Sequence, residues 1–97
     1  MDGNAAPELR HDPQGQRFVA DVDGFSGHLD YERDARSLIV THTFVPPAIG
    51  GRGVAAALVR AAAELARASG LRLVPACSYA ATWLRRHPEY ADLQAGA

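Results

Sequence analysis

The sequence predicts an α+β domain built on a mixed sheet: three antiparallel strands, a central helix, a strand returning parallel, and a short C-terminal helix. Three observations carry this. Two alternating segments flank Asp23-Gly24, a strong hairpin signal. A β-branched run, Leu38 to Val45, stops at Pro46-Pro47, because proline cannot donate to a strand ladder. A glycine cluster then opens a helical repeat, and the apolar segment "LRLVPAC" follows it, an order that implies a right-handed crossover to a parallel strand.

Taken in order, residues 1–15, "MDGNAAPELRHDPQG", show no periodicity and carry Pro7, Pro13 and Gly15, so they read as a loose N-terminal lead-in to a folded domain over 16–93. "RFVADV" puts Phe18, Ala20 and Val22 on one face. "FSGHLDYE" does the same for Phe25, Gly27, Leu29 and Tyr31, leaving Ser26, His28, Asp30 and Glu32 on a wet face. "LIVTHTFV" is apolar on both sides except for His42 and its threonines and reads as a central strand. The helix spans about Gly53 to Ser69, with Val54, Leu58, Ala61, Leu65 and Ala68 at helical spacing and Gly70 closing it. In "SYAATWLRRHPEYADL", Ser78 is the expected N-cap, Tyr79 and Trp83 stand one turn apart, Pro88 marks the end, and the tail "QAGA" frays.

Composition narrows the function classes. With 97 residues, 47% apolar and 22% charged, the chain fits one small globular domain. No stretch approaches the roughly 20 apolar residues of a membrane span, and Met1-Asp2-Gly3-Asn4 lacks the features of a secretory signal, so a soluble cytoplasmic protein is expected, as monomer or weak homodimer. Cys77 stands alone, which leaves no internal disulfide and no cysteine-built zinc site, and no metal is expected. Residues 1–49 hold eight acids and four arginines, net −4; residues 50–97 hold three acids and six arginines, net +3. That excess suits a small polyanionic ligand and is thin for nucleic acid.

The glycine cluster "IGGRGV" lies in the basic half. Backbone N–H groups of a glycine turn, followed by those opening a helix, form a concave site that a phosphate can fill. The plain alternative is a glycine turn that permits close packing. A Walker loop is excluded, because the chain contains no lysine. The dinucleotide pattern is met by Gly51, Gly53 and Ala56, yet the acid expected about 20 residues on is missing from "LRLVPACS", and too little chain remains for a doubly wound sheet. Coenzyme A is the third candidate.

The run from "VPPAIGGRGV" through "VPAC" to "RRHPEYADL" resembles the GNAT superfamily of N-acetyltransferases. Within it, the chain is similar to the short single-domain class that lacks the usual first two helices and ends in such a "VPAC…RRHPEY" segment, over roughly Arg17 to Leu93. The resemblance implies a minimal GNAT fold, acetyl-CoA as cofactor and an amine acceptor that the sequence does not identify. The superfamily loop, Q/R-x-x-G-x-G/A, falls on Gly50, Gly51, Arg52, Gly53, Val54 and Ala55, with Gly50 replacing the usual Gln or Arg. It implies a backbone cradle over Gly51–Ala55, a mobile Arg52 guanidinium on the phosphates, and Thr43, Phe44 and Val45 along the pantetheine arm. Ser78, opening the last helix, joins these candidate cofactor contacts.

Acetyl transfer needs a deprotonated amine, a stabilised oxyanion and a protonated leaving thiolate. Cys77 has three readings: a covalent acetyl carrier, a contact to the cofactor's sulfur, or a buried structural thiol. His42 can act as base or orient Cys77 if its ring enters the gap between strands; otherwise it is a half-buried histidine bonded to its neighbours. His28 and His11 read as solvated. Tyr79 can protonate the leaving thiolate, a role that tyrosine commonly takes in the superfamily, or simply pack on Trp83; Tyr90 is a weaker candidate. Arg85, Arg86 and His87 meet the 3′-phosphate end of the cofactor, an acidic partner or solvent, and "DYERDAR" offers acidic charge to a cationic amine. The rival function is an acyl-CoA-binding regulatory module without turnover.

Overall fold

The computed structural model describes residues 7–94. The α+β class is as expected, but four antiparallel strands precede the long helix where the sequence predicts three. The added strand, β1 (Glu8–Asp12), lies in the stretch read as a loose lead-in, whose first six residues fall outside the described range. It pairs with β2 (Arg17–Val22), Glu8 opposite Asp21 and Asp12 opposite Arg17. No alternation marks it in the sequence because all five side chains are exposed, and charge on such an edge strand discourages further pairing. Two side chains hold it down. Arg10 reaches Asp21 at 2.7 Å, and His11 stacks on Phe18 with ring centroids 4.2 Å apart while its Nε2 lies 2.7 Å from the Tyr31 hydroxyl. His11 is therefore engaged rather than merely solvated.

Asp23 and Gly24 carry φ of 51° and 80°, the type I′ geometry whose twist matches a hairpin, and join β2 to β3 (Phe25–Arg33). Phe18, Ala20, Val22, Gly27, Leu29 and Tyr31 are buried as the alternation requires. β4 (Ser37–Phe44) is an interior strand, as expected: in the order β1-β2-β3-β4-β5 it lies fourth, between β3 and the short β5 (Arg72–Pro75). Its register slips at Asp30/Tyr31, where Asp30 faces His42 but Tyr31 faces Val40, so Thr41 is an extra residue, and its hydroxyl donates to the Asp30 carbonyl at 3.2 Å. This bulge decides the site. Up to Val40 the inward side chains are Leu38 and Val40; beyond it Thr43 shares the inward face with Leu29, while His42 and Phe44 turn outward with Asp30 and His28.

β5 runs parallel to β4 but pairs only from Ser37–Arg72 to Val40–Pro75, ending with the Ala76 N–H on the Val40 carbonyl at 2.9 Å. Past that point the two strands part, and the β5 side of Thr41–Phe44 has no strand partner among the described residues. The connection between them is α1 (Val54–Ser69), closed by Gly70 in the left-handed region. Its inward stripe is Val54, Leu58, Val59, Ala62, Ala63 and Ala66, whereas Ala61 and Leu65 are partly buried and Ala68 is exposed, so the face is rotated from the predicted one. Alanines along this stripe let the helix approach the sheet closely. The outward positions Val19, Asp21, His28, Asp30, Ile39, His42 and Phe44 are half-buried or exposed, so among the described residues that side of the sheet carries no helical layer over them.

The C-terminal segment differs most from expectation. α2 (Ser78–Arg85) is capped by Cys77, not Ser78: the Cys77 Sγ accepts from the Ala80 N–H at 3.4 Å, and Ser78 is already helical. Pro88 ends nothing for good, because it opens a 3₁₀ turn (Pro88–Tyr90) that leads into α3 (Ala91–Gln94). His87 stacks on Trp83 at 3.8 Å between centroids and its Nδ1 lies 2.7 Å from the Trp83 carbonyl. Tyr90 donates its hydroxyl hydrogen to Glu64 and accepts from Arg60 at 3.1 Å, and Arg67 clasps Asp92 at 3.0 Å. The "RRHPEY" segment thus braces the outer side of α1.

Candidate functional site

The proline pair that ends β4 also starts the site. Pro47–Ile49 form a 3₁₀ turn, and the Gly50 N–H closes it on the Pro47 carbonyl at 3.1 Å. Gly51 and Gly53 follow at φ 74° and 79°, a left-handed conformation that strains any side chain, and a Cβ built on either meets nothing within 4 Å. Both glycines therefore border open space, so a close-packing role does not explain them. Gly53 is the N-cap of α1 and gives it no side-chain cap, and the first helical bond is Ala57 N–H to the Gly53 carbonyl at 3.0 Å. The N–H groups of Val54, Ala55 and Ala56 are left pointing out of the helix end, where the dipole favours an anion.

They open on a cavity of about 250 Å³, walled by Val45 and Ile49, by Gly50, Gly51 and Gly53, by Val54–Ala56, and by Tyr79 from α2. Of the expected cofactor contacts, the structure brings Val45, Gly50, Gly51, Gly53, Val54 and Ala55 to this wall. The Arg52 guanidinium, expected on the phosphates, has a partner on another element. Its Nη1 lies 2.8 Å from Asp23 Oδ2 on the β2–β3 hairpin, and only 28% of its side chain is exposed against 67% for Asp23.

Val45 of the cavity wall directly follows the stretch of β4 that parts from β5. Across that gap Thr43 Oγ1 and Cys77 Sγ are 3.5 Å apart, a contact the bulge produces by turning Thr43 inward. The same bulge turns His42 away. His42 is exposed on the outer face, with its ring 5.7 Å from that of His28, so it neither enters the gap nor orients Cys77. Phe44 is likewise outward and 45% exposed, its ring 5.6 Å from His28, leaving only the backbone of that residue to face the gap. Ser78 is exposed at the first position of α2.

Tyr79 is 41% exposed and turns to the cavity, while Trp83 has His87 and Tyr90 for ring partners instead. Burial raises the Tyr79 hydroxyl above the ordinary phenol range, opposed by the nearby Arg86 charge, so it keeps its proton at neutral pH. Tyr90 is committed to Glu64 and Arg60 and is remote in role from the cavity. His28 is only partly exposed and 3.9 Å from Asp30; burial, then the Arg17 charge, lower its basicity. Arg85 donates to Thr82 at 3.2 Å, and His87 is part of the Trp83 stack, so two members of the expected basic cluster have internal duties. Among the described residues no group of three His, Cys, Asp or Glu can hold a metal, and no helix is long and apolar enough to cross a membrane.

Sequence reasoning missed Ile49 and Ala56 in the cavity wall and the Asp23 partner of Arg52. Ile49, an apolar residue between a proline pair and the glycines, was the available signal; Asp23 carried none beyond its turn.

Comparisons with known proteins agree with this architecture. The family model described as GCN5-related N-acetyl-transferase matches residues 17–93. A GCN5-like protein of Staphylococcus aureus, solved by NMR, superposes with a TM-score of 0.71 at 27% identity, covering 89% of this chain and 85% of that one. An acetyltransferase of Trypanosoma brucei superposes with a TM-score of 0.52 at 18% identity, covering 84% of this chain and 63% of that one, a likeness of fold. No curated protein matches the sequence.

Proposed function

Since the chain belongs to the GCN5-related N-acetyltransferase family, we propose that it binds acetyl-CoA and transfers the acetyl group to an amine. The observation that carries the reading is the empty-sided cradle: two left-handed glycines and an uncapped helix start, open to a cavity whose wall includes Val45, the residue directly after β4. The fit is chemical as well as spatial. Backbone N–H groups and the helix dipole suit a diphosphate, and free strand groups on Thr41–Phe44 suit an extended, amide-bearing arm, which can pair with them as a further strand would. Bound there, acetyl-CoA supplies an acyl group already activated as a thioester.

The chain's own share is binding, orientation and one proton. Val45 and Ile49 give the apolar wall that excludes water beside the cradle. Thr43 and Cys77 flank the gap with a hydroxyl and a thiol, each able to contact a thioester oxygen or sulfur. Tyr79 holds a proton on its hydroxyl at neutral pH and can deliver it to a departing thiolate. Cys77 spends its sulfur lone pair on the Ala80 N–H, which favours a cofactor-contacting or capping role over a covalent carrier.

A second reading, an acyl-CoA-binding module without turnover, draws on one observation: with His42 outward, Tyr79 is the sole titratable side chain among the described residues lining the cavity, and it is an acid rather than a base. Calorimetry with acetyl-CoA tests both readings, because the absence of saturable heat at millimolar ligand overturns them together. A panel of amines then separates them, since binding without acetylation of any amine leaves the module. Intact-mass measurement of wild type and Cys77→Ala after incubation with acetyl-CoA decides the covalent route: an acetyl adduct lost in the variant establishes it, and turnover that persists in the variant discards it.

A further inference from the structure

Arg52 is the one cation between Val45 and Val59, and it stands between the two left-handed glycines of the cradle. It spans to a different element. Its guanidinium meets Asp23, at the tip of the β2–β3 hairpin, at 2.8 Å. The type I′ turn fixes the backbone from which the Asp23 carboxylate projects. A negative charge is thus held beside a cradle whose glycine turn and uncapped helix start attract anions.

We infer that Asp23 tempers the affinity of the cradle: its carboxylate competes for Arg52 with a ligand's diphosphate, so it weakens the binding of complete coenzyme A thioesters and leaves that of truncated, uncharged ones unchanged. The inference rests on the coenzyme reading above. Its physical basis is a competition. Asp23 is mostly exposed, and an exposed ion pair is weak and screened by salt. A diphosphate brings at least two charges to the same guanidinium and also gains the backbone N–H groups of the helix start, so it wins the exchange. A neutral pantetheine thioester gains nothing from displacing Asp23 and leaves the pair closed. Removing the carboxylate lifts both the competition for Arg52 and the like-charge repulsion at the rim.

The variant is Asp23→Asn, which keeps the left-handed turn because asparagine tolerates that conformation at least as well as aspartate. Dissociation constants for coenzyme A, ADP and S-acetylpantetheine are measured calorimetrically at low salt and at about 0.5 M salt. Asp23→Asn is expected to bind coenzyme A and ADP about two- to five-fold more tightly at low salt, to lose that gain at high salt, and to bind S-acetylpantetheine as wild type does. Arg52→Gln is expected to weaken coenzyme A and to remove most of the gain from Asp23→Asn in the double variant. If wild type binds coenzyme A but Asp23→Asn leaves the affinity unchanged or lowers it, or shifts S-acetylpantetheine equally, the inference is overturned and the coenzyme reading stands. If wild type binds none of the three ligands, the coenzyme reading fails and takes the inference with it.

Discussion

Gly50 and Gly51 adjoin in the sequence, yet alanine should move stability in opposite directions at the two positions. Gly51 sits at φ 74°, and nothing lies within 4 Å of a Cβ built there. An alanine at that site suffers the crowding of its own backbone, about 1–2 kcal/mol for the left-handed region, with no packing contact to offset it. Part of that is returned because alanine also restricts the unfolded chain, leaving a net loss of about 1 kcal/mol. Gly50 has φ −66° and ψ 153°, and its nearest neighbour to a built Cβ is the Pro47 carbonyl oxygen at 3.4 Å, an ordinary contact. Alanine fits there without strain and should stabilise by about 0.4–1 kcal/mol through the unfolded state alone. In a domain of 97 residues each kcal/mol moves Tm by about 4–8 °C. Gly51→Ala is therefore expected to melt about 4–8 °C below wild type, and Gly50→Ala about 2–8 °C above it. Circular-dichroism melts, with urea midpoints as an independent scale, read both. Shifts of the same sign, or a Gly51→Ala variant as stable as wild type, would refute the backbone geometry on which the cradle depends.

Three further outcomes follow from the same structure. Cys77→Ala removes the α2 cap and should cost about 0.5–2 kcal/mol in urea unfolding, while Cys77→Ser, which restores an acceptor, should recover most of it; equal losses would show that the cap is not the sulfur's contribution. Tyr90→Phe should cost about 0.5–1.5 kcal/mol by breaking the bonds to Glu64 and Arg60, with coenzyme A affinity unchanged; a large loss of affinity would return the "RRHPEY" segment to the site. His28 has its basicity lowered by burial first and by Arg17 second, so the unfolded state binds its proton more readily. Its contribution is present above the ordinary histidine range near pH 6.5 and is lost as the pH falls through that range. Urea midpoints between pH 7.5 and 5 should fall more steeply for wild type than for His28→Gln, and parallel profiles would contradict the assignment.

Much of the fold was legible because it follows local rules. Asp23-Gly24, Pro46-Pro47 and Ser69-Gly70 punctuate the chain where turn chemistry demands, and the alternation of Phe18, Ala20 and Val22 fixes one face of the sheet. β1 escaped because an edge strand exposed on both sides has no periodicity to show. The bulge at Thr41 escaped for a different reason. A one-residue slip reverses inside and outside for everything beyond it, and its cause is pairing with Asp30 and Tyr31 on another strand, invisible along β4 itself. His42 was accordingly expected in the gap, and Thr43 holds the place. The candidate site divides in the same way: the glycines and Val45 were readable from their own residue types, whereas the Asp23 partner of Arg52 and the Cys77 cap depend on elements brought together only by folding.

The order of strands in the sheet is the order of strands in the sequence. Four of them therefore assemble by zipping neighbours, each step closing a short loop, the kind of contact that forms quickly. Joining β5 to β4 is another matter, since the chain must first run the whole length of α1, and only four residues on each side reward that closure. The seam between the four-residue β4–β5 ladder and the longer ladders of its neighbours is the place where β4 and β5 part and where Thr43 faces Cys77. A molecule bridging that seam would hold together the join with the longest loop and the shortest ladder, so its occupancy should be felt in the rate of unfolding more than in the rate of folding.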